Sequence, residues 1–472
     1  MSTTFGYYSG WTLIGDYRAD AEFYRPEHQE YFSALRSVSH RELGAIATMR
    51  RPQYRTTTAF DPGVLRGGIK FLSPTEVETQ FVDWAKVREV SPTVWDDYPS
   101  GRAAKGDLLL EVKGDATKVF LLGESTPTKA MVSGSFQQIR LNESRDVWFV
   151  FAAFLSNIWQ RQRQRLQSNI NIKYVDKEAL RSVILPWPDR AIRESIGLKV
   201  HASEKLRMRA VALWNSTLES ASRLWDGLLC PTQSAHSSTF LTDGFSTRRI
   251  DADYYKHDDL VLRQQLVDAG FVPIGEACET IESGSTPREE GEAVRVAGVG
   301  SIRTPALKLG RETYKRPSSA MDLRVGDVLV CNAAHDARFI GRQNAVVGEN
   351  SDLVASSEVL VCRPANPGHS LPIVHFLNTR FGYAQLQRAV RGMTAHLYAE
   401  DMSEVLVPPA ADSVAENEIH LRALTDAWRR SERLIESAIE EMDALVEGRL
   451  DDANCIQQGR QLAEEFGLEE SQ

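Results

Sequence analysis

The sequence predicts an α/β protein with two duplicated α/β domains separated by two long helices, which pack as an antiparallel coiled coil in a pseudo-twofold arrangement. Three observations lead to this fold class. Short sequence blocks recur in the same order in both halves, each half ends in a segment with apolar residues at heptad spacing, and a stretch rich in Ser, Thr and Gly separates the halves. A chain of 472 residues is also too long for one ordinary domain.

The repeated blocks are the first observation. Residues 18–24 (RADAEFY) recur as residues 249–255 (RIDADYY), and residues 43–47 (LGAIA) recur as residues 274–278 (IGEAC), both at an offset of 231. Later blocks keep their order at offsets of 217 to 222: GDLLL at 106–110 with GDVLV at 326–330, FL at 154–155 with FL at 376–377, VILP at 183–186 with VLVP at 405–408, and ESA at 219–221 with ESA at 436–438. Loop insertions in two homologous halves produce this small drift.

Each half is predicted to contain the same succession of elements. Short apolar β-type runs follow the Gly-Asp pairs, then come a helical segment, an extended piece that ends at Pro186 or Pro408, and a long helix. The resulting bounds are 1–188 for the first domain, 189–230 for the central spacer helix, 231–248 for the linker, 249–409 for the second domain, 410–450 for the C-terminal spacer helix and 451–472 for a polar acidic tail.

The long helices show the clearest periodicity. Alternating spacings of three and four residues in the second half join Leu421, Leu424, Trp428, Ser431, Ile435, Ala438, Met442 and Leu445. The same frame, moved back by 217, falls on Val211, Trp214, Leu218, Ala221, Trp225 and Leu228. Such spacing is typical of a coiled-coil seam. Two interpretations stay open: the stripes pack on each other, or each packs on its own globular domain.

Composition excludes several classes of protein. No stretch approaches the length of about 18 apolar residues that spans a bilayer, and the N-terminal residues lack the pattern of a signal peptide. The five cysteines are scattered, and the histidines form no metal-binding pair. We therefore expect a protein of the reducing cytoplasm with no membrane contact, no metal and no cofactor. The net charge of −9 counts mildly against nucleic-acid binding, because phosphates attract Lys and Arg.

Several ordered motifs in the second half resemble one family. They are IGEACETIESGSTP at 274–287 with its Gly-x-Thr-Pro end, GDVLVCN at 326–332, SSEVLVCR at 356–363, RGMT at 391–394 and VLVPP at 405–409. With these motifs, nearly the whole chain resembles the specificity (S) subunits of type I restriction–modification enzymes, which have two target-recognition domains. The first half departs from the pattern, since residues 49–52 (MRRP) occupy the Gly-x-Thr-Pro position.

The resemblance implies a function and partners. Each target-recognition domain reads one half of a split site in double-stranded DNA, and the spacer helices set the distance between the halves. Two methyltransferase (M) subunits then methylate adenine, and motor-nuclease restriction (R) subunits cut the DNA. A helix over residues 203–229 is about 40 Å long, which is comparable with the roughly 34 Å of one DNA turn. The chain itself is expected to have no catalytic centre.

Polar and basic residues in loops beside predicted strands are the candidate DNA contacts, because Arg, Asn and Gln match the donor and acceptor pattern of base edges. In the first half they are Arg50, Arg51, Gln53, Arg55, Lys113 and Lys118. In the second half they are Ser283, Ser285, Thr286, Arg288, Asn332, His335, Arg338, Arg342 and Arg391.

Two alternatives belong to other classes of protein. Asp97, Glu111 and Lys113 have the order of a Mg²⁺-dependent nuclease site, in which carboxylates and a lysine surround the metal. The second alternative is a scaffold that binds protein partners through the helix stripes and never contacts DNA. The negative net charge favours this scaffold.

Overall fold

A computed structural model describes residues 25–52, 68–74, 82, 84, 87–112, 116–166, 175, 177–222, 228, 249, 252–286, 288–302, 307, 314–317, 319–348, 353–392, 394–410 and 414–468. Only the backbone is described for residues 218–222, 252–253, 288–292 and 414–418. The chain divides into two compact units. Unit 1 comprises residues 1–206 and 430–472, and unit 2 comprises residues 207–429.

The α-helices of the described residues are numbered α1 to α14 in chain order. They are Pro26–Ser37, Leu43–Ile46, Val94–Asp97, Val147–Leu155, Asn157–Leu166, Lys177–Arg181, Arg190–Ser222, His257–Asp268, Ile274–Ala277, Ser370–Leu377, Arg380–Ala389, Ala399–Met402, Val414–Val446 and Asp452–Phe466. None of these helices is both long enough and apolar enough to cross a membrane.

The strands of the described residues are numbered β1 to β21 in chain order. They are His40–Glu42, Ala47–Arg50, Ile69–Leu72, Glu89–Val90, Arg102–Ala103, Leu108–Glu111, Val119–Leu121, Ala130–Val132, Phe136–Leu141, Ile184–Pro186, Val272–Pro273, Cys278–Ser283, Arg288–Ala297, Tyr314–Lys315, Val328–Cys331, Ala333–Ala334, Asn344–Val346, Leu353–Ala355, Val359–Pro364, Ala395–His396 and Leu406–Val407.

Unit 1 contains two four-stranded sheets. One is antiparallel with the strand order β2-β9-β6-β7, and the other has the order β4-β3-β8-β5 with β3 and β8 parallel. Strands β1 and β10 form a separate antiparallel pair. The wholly apolar helix α4 shares a core with the antiparallel sheet and β10, and its Phe149, Phe151 and Phe154 are almost completely buried. Its lack of a polar face is typical of a helix covered by protein on all sides.

Unit 2 repeats this strand order within itself. One sheet has the order β12-β19-β15-β17, and a second has the order β14-β13-β18 with β13 and β18 parallel. An isolated bridge from Asp322 to Val354 stands where unit 1 has β5. Strands β11 and β21 pair as β1 and β10 do. The repeated sequence blocks therefore coincide with a repeated order of strands.

A buried aspartate is the most specific feature that the two units share. In unit 1 the Asp107 carboxylate accepts hydrogen bonds from Arg140 Nε and Nη2 at 2.7 and 2.9 Å. In unit 2 the Asp327 carboxylate accepts from Arg363 Nε and Nη2 at 2.8 and 2.7 Å. Each aspartate follows a glycine with positive φ, 87° at Gly106 and 93° at Gly326. Only glycine adopts this backbone conformation readily, so the Gly-Asp pairs place an arginine clamp between neighbouring strands.

A glutamine also plays the same part in each unit. Gln162 donates to Ile184 O and accepts from Ile184 N, at 2.7 and 2.8 Å. Gln385 makes the same two hydrogen bonds to Leu406, both at 3.0 Å. These buried side chains complete the backbone hydrogen bonding of β10 and β21, the strands that precede the two long helices.

The long helices are α7 and α13, each of 33 residues, or about 50 Å. Helix α7 begins at Arg190 and helix α13 begins at Val414. The predicted seam of α13 is buried from Leu421 to Met442, and Leu445 is half-buried. In unit 1, Ser203 Oγ lies 2.7 Å from Ser431 Oγ and Lys199 Nζ lies 2.6 Å from Glu441 Oε1. The two helix segments therefore run antiparallel within unit 1.

The described residues show where parts of the two apolar stripes pack. Ile435, Ala438 and Met442 also belong to the core of the unit 1 domain. In the α7 frame, Trp214 is buried and Val211 is half-buried, whereas Leu228 packs against a cluster of unit 2 that includes Phe376. The side chains of Leu218, Ala221 and Trp225 lie outside the described residues.

The prediction of a polar tail over 451–472 is wrong for residues 452–466, which form helix α14. Asp451 caps this helix by accepting from Asn454 N, and Gly467 ends it in the left-handed conformation. Cys455, Gly459 and Leu462 are buried on one face of α14, while the acidic residues lie on the other. Glu465 pairs with Arg430 of α13. The acidic composition concealed an amphipathic helix, because its buried stripe is narrow.

Candidate nucleic-acid interface

Hydrogen bonds gather several of the predicted contact residues of unit 2. Asn332 Nδ2, just after β15, donates to Ser283 Oγ at 3.1 Å and to Ser357 O at 3.3 Å. Thr286 Oγ1 donates to Ser357 Oγ at 3.0 Å. Asn332 is buried, so its side chain holds these loops together. Ser283 and Thr286 are exposed and remain available for a ligand.

Residues 284–286 of the Gly-x-Thr-Pro segment follow β12 and are hydrogen-bonded to Ala355 and Val359. Ser285 N donates to Ala355 O at 2.9 Å, and a Cβ on Gly284 would overlap the backbone of Ala355. Ser285 Oγ lies 3.2 Å from Ser319 Oγ. Arg288 lies at the start of β13, and its side chain is outside the described residues. The glycine is therefore required by the close approach of two chain segments.

The connection after β15 carries three exposed basic candidates, His335, Arg338 and Arg342. The Arg338 side chain is 84% exposed and pairs with Asp336 at 2.6 Å. Hydrogen bonding from Arg338 lowers the pKa of the Asp336 carboxyl below its ordinary value. The Arg342 guanidinium lies 5.7 Å from the ring centre of Phe339. This connection forms a basic surface loop that also exposes an aromatic ring.

Arg391 shapes the neighbouring loop. Its guanidinium pairs with Glu400 and with Asp401, both at 2.8 Å, and lies 4.4 Å from the Tyr398 ring centre. Its backbone pairs with His396, and strand β20 (Ala395–His396) pairs with β16 in the basic connection. The ion pairs engage the charge of Arg391, so this residue holds the loop beside the exposed arginines.

The first-half candidates attach to the antiparallel sheet of unit 1. Arg50 donates to Gln138 Oε1 at 2.9 Å and to Arg102 O at 2.6 Å. Arg51 Nε donates to Gly134 O at 3.1 Å. Lys118 Nζ, in the connection between β6 and β7, donates to Pro74 O at 2.6 Å. Gln53, Arg55 and Lys113 lie outside the described residues.

Two basic residues that the sequence patterns did not indicate, Arg102 and Lys129, lie beside Trp95. The Arg102 guanidinium lies 4.8 Å from the Trp95 ring centre, and Lys129 Nζ lies 5.7 Å from the same ring. Arg102 also pairs with Asp96 at 3.3 Å. The residues are far apart in the sequence, and pairing of β5 with β8 brings Arg102 opposite Met131. A sequence search around Trp95 would have reached Arg102, which is seven positions away, but not Lys129.

The nuclease alternative is built on Asp97, Glu111 and Lys113, and Lys113 lies outside the described residues. Asp107, which precedes β6, is completely buried and bonded to Arg140, Gln138 and Ala104 N, so it does not supply a further metal ligand. Asp97 ends α3 in the segment before β5, whereas Glu111 ends β6 in the other sheet. Among the described residues, no three His, Cys, Asp or Glu side chains are placed to hold a metal ion.

Comparisons with known proteins gave structural likenesses only. No protein-family model matches the chain, and no curated protein matches it. The chain is similar to the S subunit of a type I restriction–modification system from M. genitalium, with 11% identity, a TM-score of 0.35, and coverage of 89% of this chain and 95% of that one. It is also similar to the HsdS subunit of Thermoanaerobacter tengcongensis, with 15% identity, a TM-score of 0.25, and coverage of 90% and 95%.

A third likeness is to a chain from a structure that concerns complex assembly and conformational transition of the type I R-M system. It has 15% identity, a TM-score of 0.26, and coverage of 89% of this chain and 96% of that one. With TM-scores this low, the likenesses carry no conclusion about the function of this chain.

Proposed function

We propose that this chain is the DNA specificity subunit of a type I restriction–modification complex. It reads a bipartite site in double-stranded DNA and directs adenine methylation and restriction by partner subunits. The observation that carries the proposal is the internal repeat: two units have the same strand order and the same Asp–Arg clamp. Each unit also bears basic side chains at the ends of matching strands. A repeated reader fits a target made of two short blocks.

The two long helices are proposed to act as spacers between the readers. Their antiparallel contacts within unit 1 support a coiled coil, and in unit 2 Arg207 of α7 lies 4.0 Å from the Trp428 ring centre of α13. A pseudo-twofold arrangement follows when two homologous units are joined in this way. Each helix, at about 50 Å, exceeds the roughly 34 Å of one DNA turn, which is enough to separate the two blocks by a fixed distance.

The partners follow from the family that the sequence resembles. Two M subunits supply the methyltransferase chemistry, and R subunits supply the motor and nuclease. The net charge of −9 agrees with this division of labour, because a subunit that shares its phosphate contacts with partners needs fewer cations of its own. The chain needs no catalytic centre in such a complex.

The test is single-molecule methylation sequencing of the host genome with and without the gene. The proposal predicts that a motif of two short blocks around a fixed unspecified spacer loses its adenine methylation. If no motif changes while the M and R partners are expressed, the proposal is wrong. A scaffold then predicts no DNA affinity even with the partners present, and a nuclease predicts Mg²⁺-dependent cutting that Lys113→Ala abolishes.

Variants of single loops assign each unit to one block. His335→Ala and Arg342→Ala remove exposed side chains of unit 2 without breaking a described ion pair. We expect them to relax the block that unit 2 reads and to leave the other block unchanged, with a loss of about 1–3 kcal/mol for each base contact removed. Arg380→Ala, which removes an exposed arginine elsewhere on unit 2, is the matched control.

A further inference from the structure

Unit 2 exposes an aromatic ring on the basic connection described above. Phe339 is 52% exposed at the end of a short 3-10 turn, Ala337–Phe339. The turn lies within residues 332–343, which join β15 to β17. A phenylalanine that remains half in water has lost much of the stabilisation that burial would provide. A single exposed apolar residue is ordinary on a protein surface, so the case for a bound partner depends on what surrounds this ring.

The backbone on both sides of Phe339 is fixed to helix α11. Gln387 Nε2 donates to Ala337 O at 2.9 Å and to Ile340 O at 2.8 Å. The Tyr383 hydroxyl donates to Arg338 O at 2.9 Å. Three carbonyls of four consecutive residues are therefore held by side chains of one helix, and the ring projects from a rigid support.

Three further features fix the backbone of this turn. Ile340, the next residue, is completely buried. Gly341 has a φ of 68°, and a Cβ there would lie 2.5 Å from Leu386 Cδ1. Asp336 accepts from Arg338 N at 2.9 Å and closes the first turn. A ring fixed outward in this way loses little conformational entropy on binding.

The charges around the ring identify the partner. Arg338 and Arg342 flank Phe339 in the sequence and both are exposed, as is His335. Only Asp336 opposes these cations within residues 332–343. Cations on both sides of a projecting apolar side chain suit a nucleic-acid duplex, in which phosphates surround stacked bases.

We propose that Phe339 is a wedge that enters between two stacked base pairs in the DNA block read by unit 2. The proposal rests on the proposed function and adds to it a local distortion of the target. The distortion is confined to one block. The matching connection of unit 1, residues 112–118 (VKGDATK), is five residues shorter and contains no aromatic residue.

The experiment places 2-aminopurine, an adenine analogue that fluoresces more strongly when unstacked, at successive steps of both blocks. The duplex contains the motif found by methylation sequencing. Full-length protein is added without M subunits, so that base flipping by a methyltransferase cannot contribute. Phe339→Ser removes the ring, and Phe339→Leu keeps an apolar side chain of the kind that also unstacks base steps. Val267→Ala, which truncates an exposed apolar residue of helix α8, is the matched control.

The expected result is a fluorescence rise at one step of one block only. Phe339→Ser loses the rise, while Phe339→Leu and Val267→Ala retain it. Affinity changes by less than about tenfold, because the lost contact and the avoided unstacking offset each other. No rise at any step with bound protein overturns the wedge, as does a rise that persists in Phe339→Ser.

The remaining outcomes also separate the wedge from other roles. If Phe339→Ser leaves the fluorescence pattern unchanged but weakens the binding of M subunits, the wedge is overturned in favour of a contact with a protein partner. Absence of any binding to the duplex by the wild-type protein, with or without partners, overturns the proposed function itself. The two failures are therefore distinguishable.

Discussion

Replacement of Glu204 by Gln is expected to change the pH dependence of the stability of unit 1. Glu204 lies on helix α7 and is only 3% exposed. Its Oε1 accepts from Glu124 N at 3.1 Å, and within the described part of the chain its Oε2 has no hydrogen-bond partner. A Cβ on Gly123 would overlap this carboxyl. Burial raises the pKa of Glu204 to about 7.

The magnitude follows from the difference between folded and unfolded states. The difference between an ordinary pKa of 4.5 in the unfolded chain and about 7 in the folded chain corresponds to about 3 kcal/mol. The folded state holds the proton more tightly, so its stability is highest below pH 4.5 and falls as the pH rises towards 7. Gln is neutral throughout. We therefore expect Glu204→Gln to match the wild type in acid and to be more stable by about 3 kcal/mol above pH 7.

A neighbouring histidine makes the comparison with wild type essential. Burial lowers the pKa of His201 to about 4, and its ring stacks on Trp148 with the centres 4.4 Å apart. This lowered pKa has the opposite effect on stability, because between pH 4 and 6.5 the unfolded chain binds a proton at His201 that the folded chain does not bind. The stability contributed by His201 therefore rises with pH. The two effects oppose each other in the wild-type protein, and the difference between Glu204→Gln and wild type isolates the carboxyl.

Urea unfolding at pH 5 and pH 8, monitored by hydrogen exchange of peptides from each unit, measures the effect. The two units make a single two-state transition unsafe to assume, and peptides of unit 2 serve as the internal control. A stability difference that is the same at both pH values would refute the assignment of a raised pKa to Glu204. A difference that appears equally in unit 2 peptides would refute its location.

Three other substitutions test the internal architecture. Asp327→Ala is expected to destabilise unit 2 by about 3–5 kcal/mol, because it leaves the Arg363 guanidinium, which is 10% exposed, without its carboxylate partner. Asp107→Ala is expected to destabilise unit 1 by less, since the side chain of its partner Arg140 is 56% exposed. Urea unfolding followed by hydrogen exchange of peptides from each unit measures both effects. Lys199→Met removes an ammonium that donates to side chains of α13 and α14, so the hydrogen-exchange protection of α14 should fall. If adding Glu441→Gln restores this protection, the unpaired Glu441 carboxylate is the cause of the loss. His201→Gln should become more stable than the wild type by about 3 kcal/mol as the pH falls from 6.5 to 4, and should have the same stability as the wild type above pH 7. An equal stability difference at neutral pH in the same unfolding assay would contradict the lowered pKa of His201.

Local sequence patterns were sufficient for the long helices and for the repeat. The heptad spacing placed Leu421 to Met442 on one buried stripe, because a helix keeps positions three and four apart on one face. The Gly-Asp pairs at 106–107 and 326–327 marked matching strands, since a positive φ and a buried carboxylate both restrict the residue type.

The candidate DNA contacts were predicted less well. Residue type alone made Asn332, Arg391 and Arg338 equal candidates for DNA contact. In the structure Asn332 is buried and Arg391 is held in ion pairs. Exposure and pairing depend on neighbours that are distant in sequence, so a loop composition cannot separate a positioning residue from an available one. Phe339 went unnoticed because exposed and buried phenylalanines have the same sequence signal.

The sequence by itself determined the duplication, the order of elements in each half and the frame of the α13 stripe, because these depend on residue type and spacing along the chain. The tertiary structure alone decided which charges are available. It placed Asp107 in an arginine clamp and out of reach of a metal, converted the polar tail into a packed helix, and fixed Phe339 outward through hydrogen bonds from Gln387. The physical reason is that burial, pKa and exposure arise from contacts between segments that the chain brings together only when it folds.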